Sequence, residues 1–461
     1  MRFGVNYTPS VGWFHSWLDF SPSDTARDLE AIASLGADHV RIFPLWPVVQ
    51  PNRTLIRASA LQDVATVVDI AGSFGLDVNV DALQGHLSSF DFVPAWLDSW
   101  HRRNMFIDPD VVASTAAYVR ALARAVADKP NLLGITIGNE VNQFAHAPHP
   151  APHDITAEQG HAWAAAMVAA ARDGLSAGSS GGSGLEARLD PATSAPSGTG
   201  SRPRPLVTVA QYDAAWYDDA QPFGPEHAAD HGDATVTHSW VFNGSAALHG
   251  ALGPGSVRHG EYLLQLAAAW NRDPARPNWL QEVGAPTNVI APEDAASFTE
   301  QTIRHVLGAQ QVLGVTWWCS HDVARSLADF PELEYDLGLF TNDGRVKPAG
   351  EAFAAVARSI AAAPAAAAAA PPATALVLDD VLPDGSDRHG MRADCAPGGR
   401  FAAAWLAVAS AEPDGRGPQV VLRSRLGDTE MLAARGIDRC VDVPADLDST
   451  TIRVAHPATT P

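Results

Sequence analysis

Short apolar runs that end in small or polar residues recur along the first three quarters of the chain. Between them lie longer segments in which apolar residues return at helical spacing. The runs are Phe3–Thr8, His39–Pro44, Asp77–Leu83, Leu132–Gly138, Leu206–Gln211, Ala234–Trp240, Asn278–Glu282 and Val315–Cys319. Alternation of buried strands with helices is typical of a parallel sheet with crossover connections. Eight such strands predict an α/β fold, a (β/α)8 TIM barrel, over residues 1–360.

Helix-capping residues support this division. Ser21 precedes Pro22 and Asp24, and Asp108 precedes Pro109 in the same way. A Ser or Asp at the N-cap, followed by Pro in the first turn, is a typical start of a helix. We therefore expect one helix between the first two strands and another before the fourth strand.

Two segments fall outside the alternation of strands and helices. Residues 174–204 are rich in Gly, Ser, Pro and Thr, and their low apolar content predicts a flexible insertion. Residues 361–373 form an Ala/Pro linker. Beyond the linker, short apolar runs separated by turn residues predict a small antiparallel β domain over residues 374–461. These runs are Thr374–Leu378, Phe401–Val408, Gln419–Leu422 and Thr451–Val454.

Two glutamates stand where predicted strands end. Glu140 follows Asn139 at the end of the fourth strand, and Glu282 ends the seventh. The carboxyl ends of barrel strands carry the chemistry of this fold, and strands four and seven face each other across the barrel. Two carboxyl groups about 5 Å apart suit retaining sugar hydrolysis, one as proton donor and one as nucleophile. A single strand-end glutamate often only caps a helix, but two of them favour the catalytic interpretation.

Other polar residues fall at the same rim. Arg41 lies on the second predicted strand, where its guanidinium would keep a nucleophilic carboxylate ionised or would form a purely structural ion pair. His86 follows the third strand and His238 lies near the end of the sixth. A lone histidine is more often structural, but beside two carboxylates both are candidates for substrate binding.

Tryptophans are concentrated just beyond the predicted strands. The chain has 13 of them, and Trp13, Trp240 and Trp317 are candidates for contact with substrate. Flat aromatic faces pack against the C–H faces of sugar rings, although any one of these residues could simply fill the core. The distribution favours a carbohydrate-binding rim.

Charge and composition exclude several classes of function. The formal net charge is -21, which would repel a nucleic acid backbone. No apolar run approaches the length of a membrane span. The chain opens directly on a predicted strand, without a charged and then apolar leader, so we expect a cytoplasmic protein. Three cysteines are too few for a disulfide framework, although a Cys395–Cys440 bridge stays open.

No cofactor or metal is expected. The sequence contains no phosphate-binding loop, dinucleotide fingerprint or thiol metal pair. His146, His149 and His153 cluster after Glu140, but proline residues interrupt the segment and no helical ligand pair is present. A loop facing substrate or solvent is the better interpretation of these histidines.

The rim residues together resemble glycoside hydrolase family 5 and its clan of barrel glycosidases. The resemblance covers residues 1–355 and rests on Gly4-Val-Asn6, Val40-Arg41-Ile, Gly138-Asn139-Glu140, His238-Ser-Trp240, Glu282 and Trp317-Trp318. It implies a retaining mechanism with Glu140 as acid/base and Glu282 as nucleophile. It also implies a first sugar subsite, whose residues would be Arg41, Asn139, His238 and Trp317. The family commonly has Tyr where this chain has Trp240, so the hydrogen bond from that hydroxyl to the nucleophile is lost unless the indole N–H replaces it.

Within that family the chain is most similar to intracellular actinobacterial β-mannosidases, which act on short β-mannosides such as mannosyl-β-1,4-N-acetylglucosamine. The resemblance thus implies an exo-acting enzyme with an oligosaccharide substrate. An endo-acting β-mannanase or β-glucanase is the nearest alternative. A non-catalytic carbohydrate-binding barrel is the alternative from another class. The oligomeric state and the role of residues 374–461 stay open at this point.

Overall fold

The computed structural model describes residues 1–179, 204–362, 372–382, 384–411 and 416–443. Eight parallel strands form its largest sheet, and every predicted barrel strand is confirmed. In chain order they are Arg2–Asn6, His39–Ile42, Asp77–Asp81, Leu132–Ile137, Leu206–Val209, Thr235–Ser239, Asn278–Val283 and Val312–Trp317. The larger part of the chain is therefore a (β/α)8 barrel, and we number its strands one to eight.

The sheet curls until its two edges meet. The strand order is five, four, three, two, one, eight, seven, six, so the two edge strands are consecutive in the chain. Beside this seam the Asp233 N–H donates to the Val207 carbonyl at 2.7 Å, and its carboxylate accepts the Val207 N–H at 2.8 Å. All eight carboxyl ends consequently open on the same rim.

Helices cover the outer face of the sheet. The long ones are Pro22–Ser34, Ala58–Ser73, Pro109–Val126, Ala157–Ser179, His259–Trp270, Ala295–Val306 and Pro348–Ala361. Short helical turns within the connections are Trp13–Leu18, Trp46–Val49, Val141–Ala145, Ala214–Tyr217, Pro225–Asp230, Ser245–His249, Pro254–Val257 and Glu332–Asp336. Ser21 and Asp108 cap their helices as predicted, because Ser21 accepts the Asp24 N–H and Asp108 accepts the N–H groups of Asp110 and Val111.

The first six residues of the predicted insertion, 174–179, are helical. They continue the helix Ala157–Ser179, so the prediction of a flexible segment is wrong for these residues. A side chain at Gly174 would collide with the helix Pro109–Val126, and one at Gly178 would collide with Ala127 directly after that helix. These two glycines are therefore present because two helices pack closely, although in the sequence they look like part of a flexible segment. Residues 180–203 of the predicted insertion lie outside the described residues.

The interior of the barrel is polar at mid-height. Thr136 Oγ1 accepts hydrogen bonds from Asn79 Nδ2 at 2.7 Å and from Gln281 Nε2 at 3.0 Å. It also shares a hydrogen bond of 2.9 Å with Thr208 Oγ1, and all four side chains are fully buried. Since inward side chains alternate along a strand, the next inward residue beyond this layer reaches the rim. In the third strand that residue is Asp81.

The small C-terminal sheet is confirmed, but its strands are parallel and not antiparallel. Thr374–Leu378 lies in the centre, between Gln419–Leu422 and Arg439–Asp442. The expected strand Phe401–Val408 is instead part of the helix Arg400–Ala411, whose crossover makes the sheet parallel. The expected strand Thr451–Val454 lies outside the described residues. The remaining short elements are Gly85–Leu87, Phe90–Phe92, Met391–Cys395, Arg423–Arg425 and Thr429–Ala434.

This C-terminal unit shares a hydrophobic core with the barrel. Phe401 and Trp405 pack with Leu263 and Leu266 of the helix His259–Trp270. The ring of Tyr262 in that helix lies 5.1 Å from the Trp405 ring, at an interplanar angle of 52°. The predicted division at residues 361–373 stays a prediction, because residues 363–371 lie outside the described part of the chain.

The three cysteines are free thiols, so Cys395 and Cys440 are not bridged in the structure. Cys395 is buried and Cys440 is exposed, which keeps the two sulfurs in different environments. Among the residues that the structure describes, no helix combines the length and apolarity needed to cross a lipid bilayer.

Candidate active site

Two buried carboxyl groups face each other at the rim of the barrel. Glu140 and Glu282 are 6% and 3% exposed. One oxygen of each carboxyl and a ring nitrogen of His238 all lie within 4.8 Å of one another. The structure therefore brings the two predicted glutamates together at a separation suited to double displacement.

Local backbone geometry aims both glutamates inward. Gly138 directly follows the fourth strand with φ of 75°, and a Cβ there would collide with the Val141 side chain. Glu140 itself adopts a left-handed φ of 53°, which is uncommon for a residue with a side chain. The seventh strand shifts register so that Thr237 pairs with Leu280 but His238 pairs with Glu282. A bulge of this kind re-aims the side chain that follows it.

Arg41 is the buried cation of the site. Its Nη1 lies 2.6 Å from Glu282 Oε1, and its Nη2 donates to Asn139 Oδ1 at 2.8 Å. Both Nε and Nη2 also donate to Asp81, while Nη1 lies 3.4 Å from Asn6 Oδ1. The Arg41 side chain is fully buried, so these contacts hold a single guanidinium between two carboxylates. This ion-pair network orients Glu282 and Asn139.

His238 joins the two carboxyl groups. Its Nδ1 lies 2.7 Å from Glu140 Oε1 and 3.4 Å from Glu282 Oε2. Burial lowers the pKa of His238 to about 4, so the imidazole is neutral near pH 7. A neutral bridging ring orients both groups without neutralising either of them.

The two glutamates hold their protons at unusually high pH. Burial raises the pKa of Glu140 to about 7, against the opposing effects of His86, Gln143, Arg41 and Trp240. Gln143 lowers this pKa through a direct contact, because its Nε2 donates to Glu140 Oε2 at 2.6 Å. The carboxyl of Glu140 is consequently able to hold a proton near neutral pH.

Glu282 has a similar pKa for partly different reasons. Burial and the charge of Glu140 raise its pKa to about 7, while His238 and Arg41 lower it. Two buried carboxyl groups this close ionise as a pair, so the first negative charge goes to the better-stabilised partner. Direct contact with Arg41 selects Glu282 for that charge, which then favours protonated Glu140.

His86 lies beside the site on the hairpin Gly85–Leu87 and Phe90–Phe92. Its carbonyl accepts from Asn139 Nδ2 at 3.0 Å, and its Nδ1 lies 2.9 Å from Asp91 Oδ1. Burial lowers the pKa of His86, but Asp91 and Glu140 outweigh it and leave the pKa above its ordinary value. The predicted rim position of His86 is therefore the position observed.

The tryptophan that faces the rim after the eighth strand is Trp318. Thr316 points into the barrel, where it contacts His39. Because side chains alternate along a strand, the next residue, Trp317, faces outward. Trp317 pairs with outward-facing Val5 and has no exposed surface. The Trp318 ring instead lies 6.4 Å from that of Trp240. The structure thus places the candidate Trp317 on the helix-facing side of the sheet.

Trp13 belongs to an aromatic cluster over one side of the rim. Its ring lies 5.3 Å from Phe90, 5.7 Å from Phe92 and 4.7 Å from Phe330. Trp13 is only 2% exposed, so it packs within this cluster more than it faces solvent. The cluster joins the first, third and eighth strand-to-helix connections.

Polar contacts reinforce the same junction. Ser88 Oγ donates to Glu334 Oε2 at 2.8 Å, and Ser89 Oγ donates to the Asp329 carbonyl at 2.8 Å. Burial raises the pKa of Glu334 to about 7, and the charge of Glu140 contributes. The loops therefore form a wall across one side of the rim.

Two of the histidines after Glu140, His149 and His153, bond to different partners. His149 Nε2 lies 3.2 Å from Asp91 Oδ2, and His153 Nδ1 accepts the Met105 N–H at 3.0 Å. Hydrogen bonding to separate partners explains their presence in this loop.

Sequence reasoning missed several polar residues of the site. These are Asp81, Gln143, Tyr212, Asp213 and Asn243. Asp81 follows Asn79 at the two-residue spacing of an inward strand face, and this signal was available in the sequence. The others lie on loops, where no periodicity reports the direction of a side chain.

No protein-family model matches the chain, and no curated protein matches it. Solved structures match it over nearly its full length. One is a glutamate-to-alanine variant of GH5_18 from Streptomyces cattleya, in complex with Manb1-4GlcNAc. It is 50% identical to this chain, with a TM-score of 0.85, and the match covers 96% of this chain and 98% of that chain. A glutamate-to-alanine variant of GH5_18 from Bifidobacterium longum subsp. longum, also in complex with Manb1-4GlcNAc, is 40% identical, with a TM-score of 0.83 and 96% of both chains covered.

A third structure, GH5_18 from Bifidobacterium longum subsp. infantis, is 41% identical, with a TM-score of 0.84 and 96% of both chains covered. Fold, site and likeness together define a barrel glycoside hydrolase. The chain belongs to glycoside hydrolase family 5, within the GH5_18 group.

Proposed function

We propose that this enzyme is a retaining exo-β-mannosidase that hydrolyses mannosyl-β-1,4-N-acetylglucosamine. The observation that carries the proposal is the buried Glu140–His238–Glu282 cluster. One carboxyl oxygen of each glutamate and a ring nitrogen of His238 lie within 4.8 Å of one another. The ligand Manb1-4GlcNAc, bound by two GH5_18 relatives, supports the choice of substrate. Cytoplasmic localisation stays a prediction.

Glu282 is the proposed nucleophile. Its contact of 2.6 Å with Arg41 favours the ionised carboxylate, and its burial leaves that charge poorly hydrated. In the first step an electron pair of Glu282 attacks the anomeric carbon of mannose. The bond from that carbon to the leaving oxygen breaks at the same time.

Glu140 is the proposed acid and then base. Its raised pKa of about 7 allows it to donate a proton to the leaving oxygen in the first step. In the second step a water attacks the anomeric carbon and passes a proton to Glu140. The bond to Glu282 breaks and the carboxylate is regenerated, so the two displacements retain the anomeric configuration.

The wall at one side of the rim supports exo action. The contacts Ser88–Glu334 and Ser89–Asp329 close the gap between two rim loops, and Trp13 packs behind them with Phe330. A polymer chain needs a cleft open at both ends, whereas a terminal sugar needs a pocket closed at one end. The closed side therefore favours release of a single terminal mannose.

A panel of aryl β-glycosides that differ only in the sugar tests the specificity. We expect the highest kcat/KM with the mannoside, and release of mannose from the disaccharide. Higher kcat/KM with the glucoside would defeat the mannosidase proposal. Loss of viscosity of a mannan without release of monosaccharide would instead establish the endo-acting alternative.

Replacement of the nucleophile tests the mechanism and the non-catalytic alternative. Glu282→Gln should lower kcat on the aryl mannoside by at least about a thousandfold. Glu300→Gln is the control, because Glu300 is half-exposed on a helix and pairs with the surface residue Arg304. Unchanged turnover by Glu282→Gln would show that the nucleophile is wrongly assigned. Absence of turnover by the unmodified enzyme would favour a binding protein.

A further inference from the structure

Three polar side chains form a connected cluster next to the carboxyl pair. Tyr212 and Asp213 follow the fifth strand, and Asn243 follows the sixth. Asn243 Nδ2 donates to both carboxyl oxygens of Asp213, each at 3.0 Å, and to Oη of Tyr212. The cluster thereby fastens two neighbouring rim loops to each other.

Asp213 is the anchor of this cluster. Its side chain is almost fully enclosed, at 1% exposure, so its hydrogen-bond partners have no competing water. Burial raises the pKa of Asp213 to about 8, and the charge of Glu140 adds to this effect. Asn243 and the backbone groups of Ala214 and Trp240 act in the opposite direction. These contacts fix the Asn243 amide in one orientation.

The fixed amide determines which way the Tyr212 hydroxyl donates. Because the oxygen accepts a hydrogen bond from Asn243, its own hydrogen must point in another direction. Burial raises the pKa of Tyr212 above its ordinary range, and the charges of Asp213, Glu140 and Glu282 raise it as well. The half-buried phenol is consequently a neutral hydrogen-bond donor close to both carboxyl groups.

Tyr212 lies on the Glu140 side of the site. Its backbone N–H donates to Asn142 Oδ1 at 2.7 Å, and Asn142 lies two residues after Glu140. The charge of Glu140 also raises the pKa of Tyr212 more than that of Glu282 does. In a double displacement the proton donor stands beside the leaving oxygen. The side of the site that Tyr212 faces is therefore the side of the leaving sugar.

We propose that Tyr212, held by Asn243 and Asp213, is a specificity-determining residue that donates a hydrogen bond to the departing sugar. The inference rests on the proposed function, because it takes Glu140 as the proton donor. The acceptor is a hydroxyl or amide oxygen of the N-acetylglucosamine unit. Tyr212 therefore discriminates between a sugar and a simple aryl leaving group.

Removal of the hydroxyl alone tests this role in the full-length enzyme. The substrates are mannosyl-β-1,4-N-acetylglucosamine and 4-nitrophenyl β-mannoside, whose leaving group has no sugar oxygens. Tyr212→Phe should lower kcat/KM on the disaccharide about tenfold, as expected for a lost neutral hydrogen bond, and change it less than about twofold on the aryl mannoside. Tyr217→Phe is the matched control, since Tyr217 lies on the same connection and its hydroxyl bonds His259 of the helix His259–Trp270.

Asn243→Ala separates positioning from direct contact. It should reproduce the selective loss on the disaccharide, and the double variant with Tyr212→Phe should lose little more than either single variant. If Tyr212→Phe lowered kcat/KM equally on both substrates, or on neither, the assignment of Tyr212 would be overturned. Failure of the unmodified enzyme to cleave either mannoside would defeat the proposed function instead, so the two failures are distinguishable.

Discussion

The Nη1 atom of Arg41 lies 2.6 Å from Oε1 of Glu282, with the two side chains 0% and 3% exposed. In the same site neutral His238 contacts both glutamates, while the guanidinium of Arg41 contacts Glu282 and not Glu140. This asymmetry separates two carboxyl groups of otherwise similar burial. It makes Glu282 the candidate nucleophile and Glu140 the candidate proton donor.

Arg41→Lys should weaken that asymmetry. Lysine keeps the positive charge but cannot reach Glu282, Asp81 and Asn139 at once. A less stabilised Glu282 carboxylate has a higher pKa, so the acid limb of kcat/KM should move to higher pH and kcat should fall about a hundredfold. Arg2→Lys is the control, because Arg2 pairs with Asp38 and Asp77 at the opposite end of the barrel. An unchanged acid limb in Arg41→Lys would contradict this account.

Glu140→Gln should affect substrates according to their leaving groups. The disaccharide needs its leaving oxygen protonated, so its kcat/KM should fall by at least about a thousandfold. An aryl mannoside with an acidic phenol should retain a larger share of its first-step rate. Added azide should then restore turnover and form the β-mannosyl azide, because azide needs no base. Formation of the α-azide would contradict the double displacement.

The pH dependence of activity follows from the raised pKa values. Activity needs ionised Glu282 and protonated Glu140, so it falls below the lower pKa of the pair and above the higher one. Because burial raises both values to about 7, kcat/KM should peak near neutral pH. Carboxyl groups with ordinary pKa values would place the maximum near pH 4–5. The pH profile of kcat/KM on the aryl mannoside checks this, and a maximum below about pH 5 would contradict it.

The adjacent residues Trp317 and Trp318 should have different roles. Trp318→Phe should lower kcat/KM about tenfold with little change in Tm, because the ring meets Trp240 at the rim. Trp317→Phe should lower the free energy of unfolding by about 1–3 kcal/mol with little change in kcat/KM, because the ring is fully buried. Kinetics and thermal denaturation of the pair provide the comparison. The reverse pattern would return Trp317 to the substrate site.

Arg392 of the C-terminal unit should stabilise the loop that follows Tyr212. It donates to the carbonyls of Asp218 and Gln221, each at 3.1 Å, and to that of Phe223 at 3.3 Å. Arg392→Ala should lower the free energy of unfolding by about 2–4 kcal/mol, since charged donors to poorly hydrated carbonyls are lost. Arg272→Ala is the control, because that side chain is 78% exposed. Equal Tm changes in the two variants would contradict a buttressing role.

The eight barrel strands and the two glutamates were predictable from the sequence alone. Apolar runs report burial directly, and the end of such a run reports where a strand meets the rim. Arg41, Asn139 and His238 were located by the same local pattern, and the structure gathers them around Glu140 and Glu282. Their catalytic and binding roles stay predictions until they are measured.

Tertiary structure decided which neighbouring side chains enter the site. A strand alternates its faces at every residue, so a difference of one position separates Trp318 at the rim from Trp317 behind the sheet. The parallel C-terminal sheet was likewise invisible, because the apolar helix Arg400–Ala411 has the composition of a buried strand. Tyr212 and Asn243 lie 31 positions apart. Such contacts between distant loops exist only once the barrel has closed.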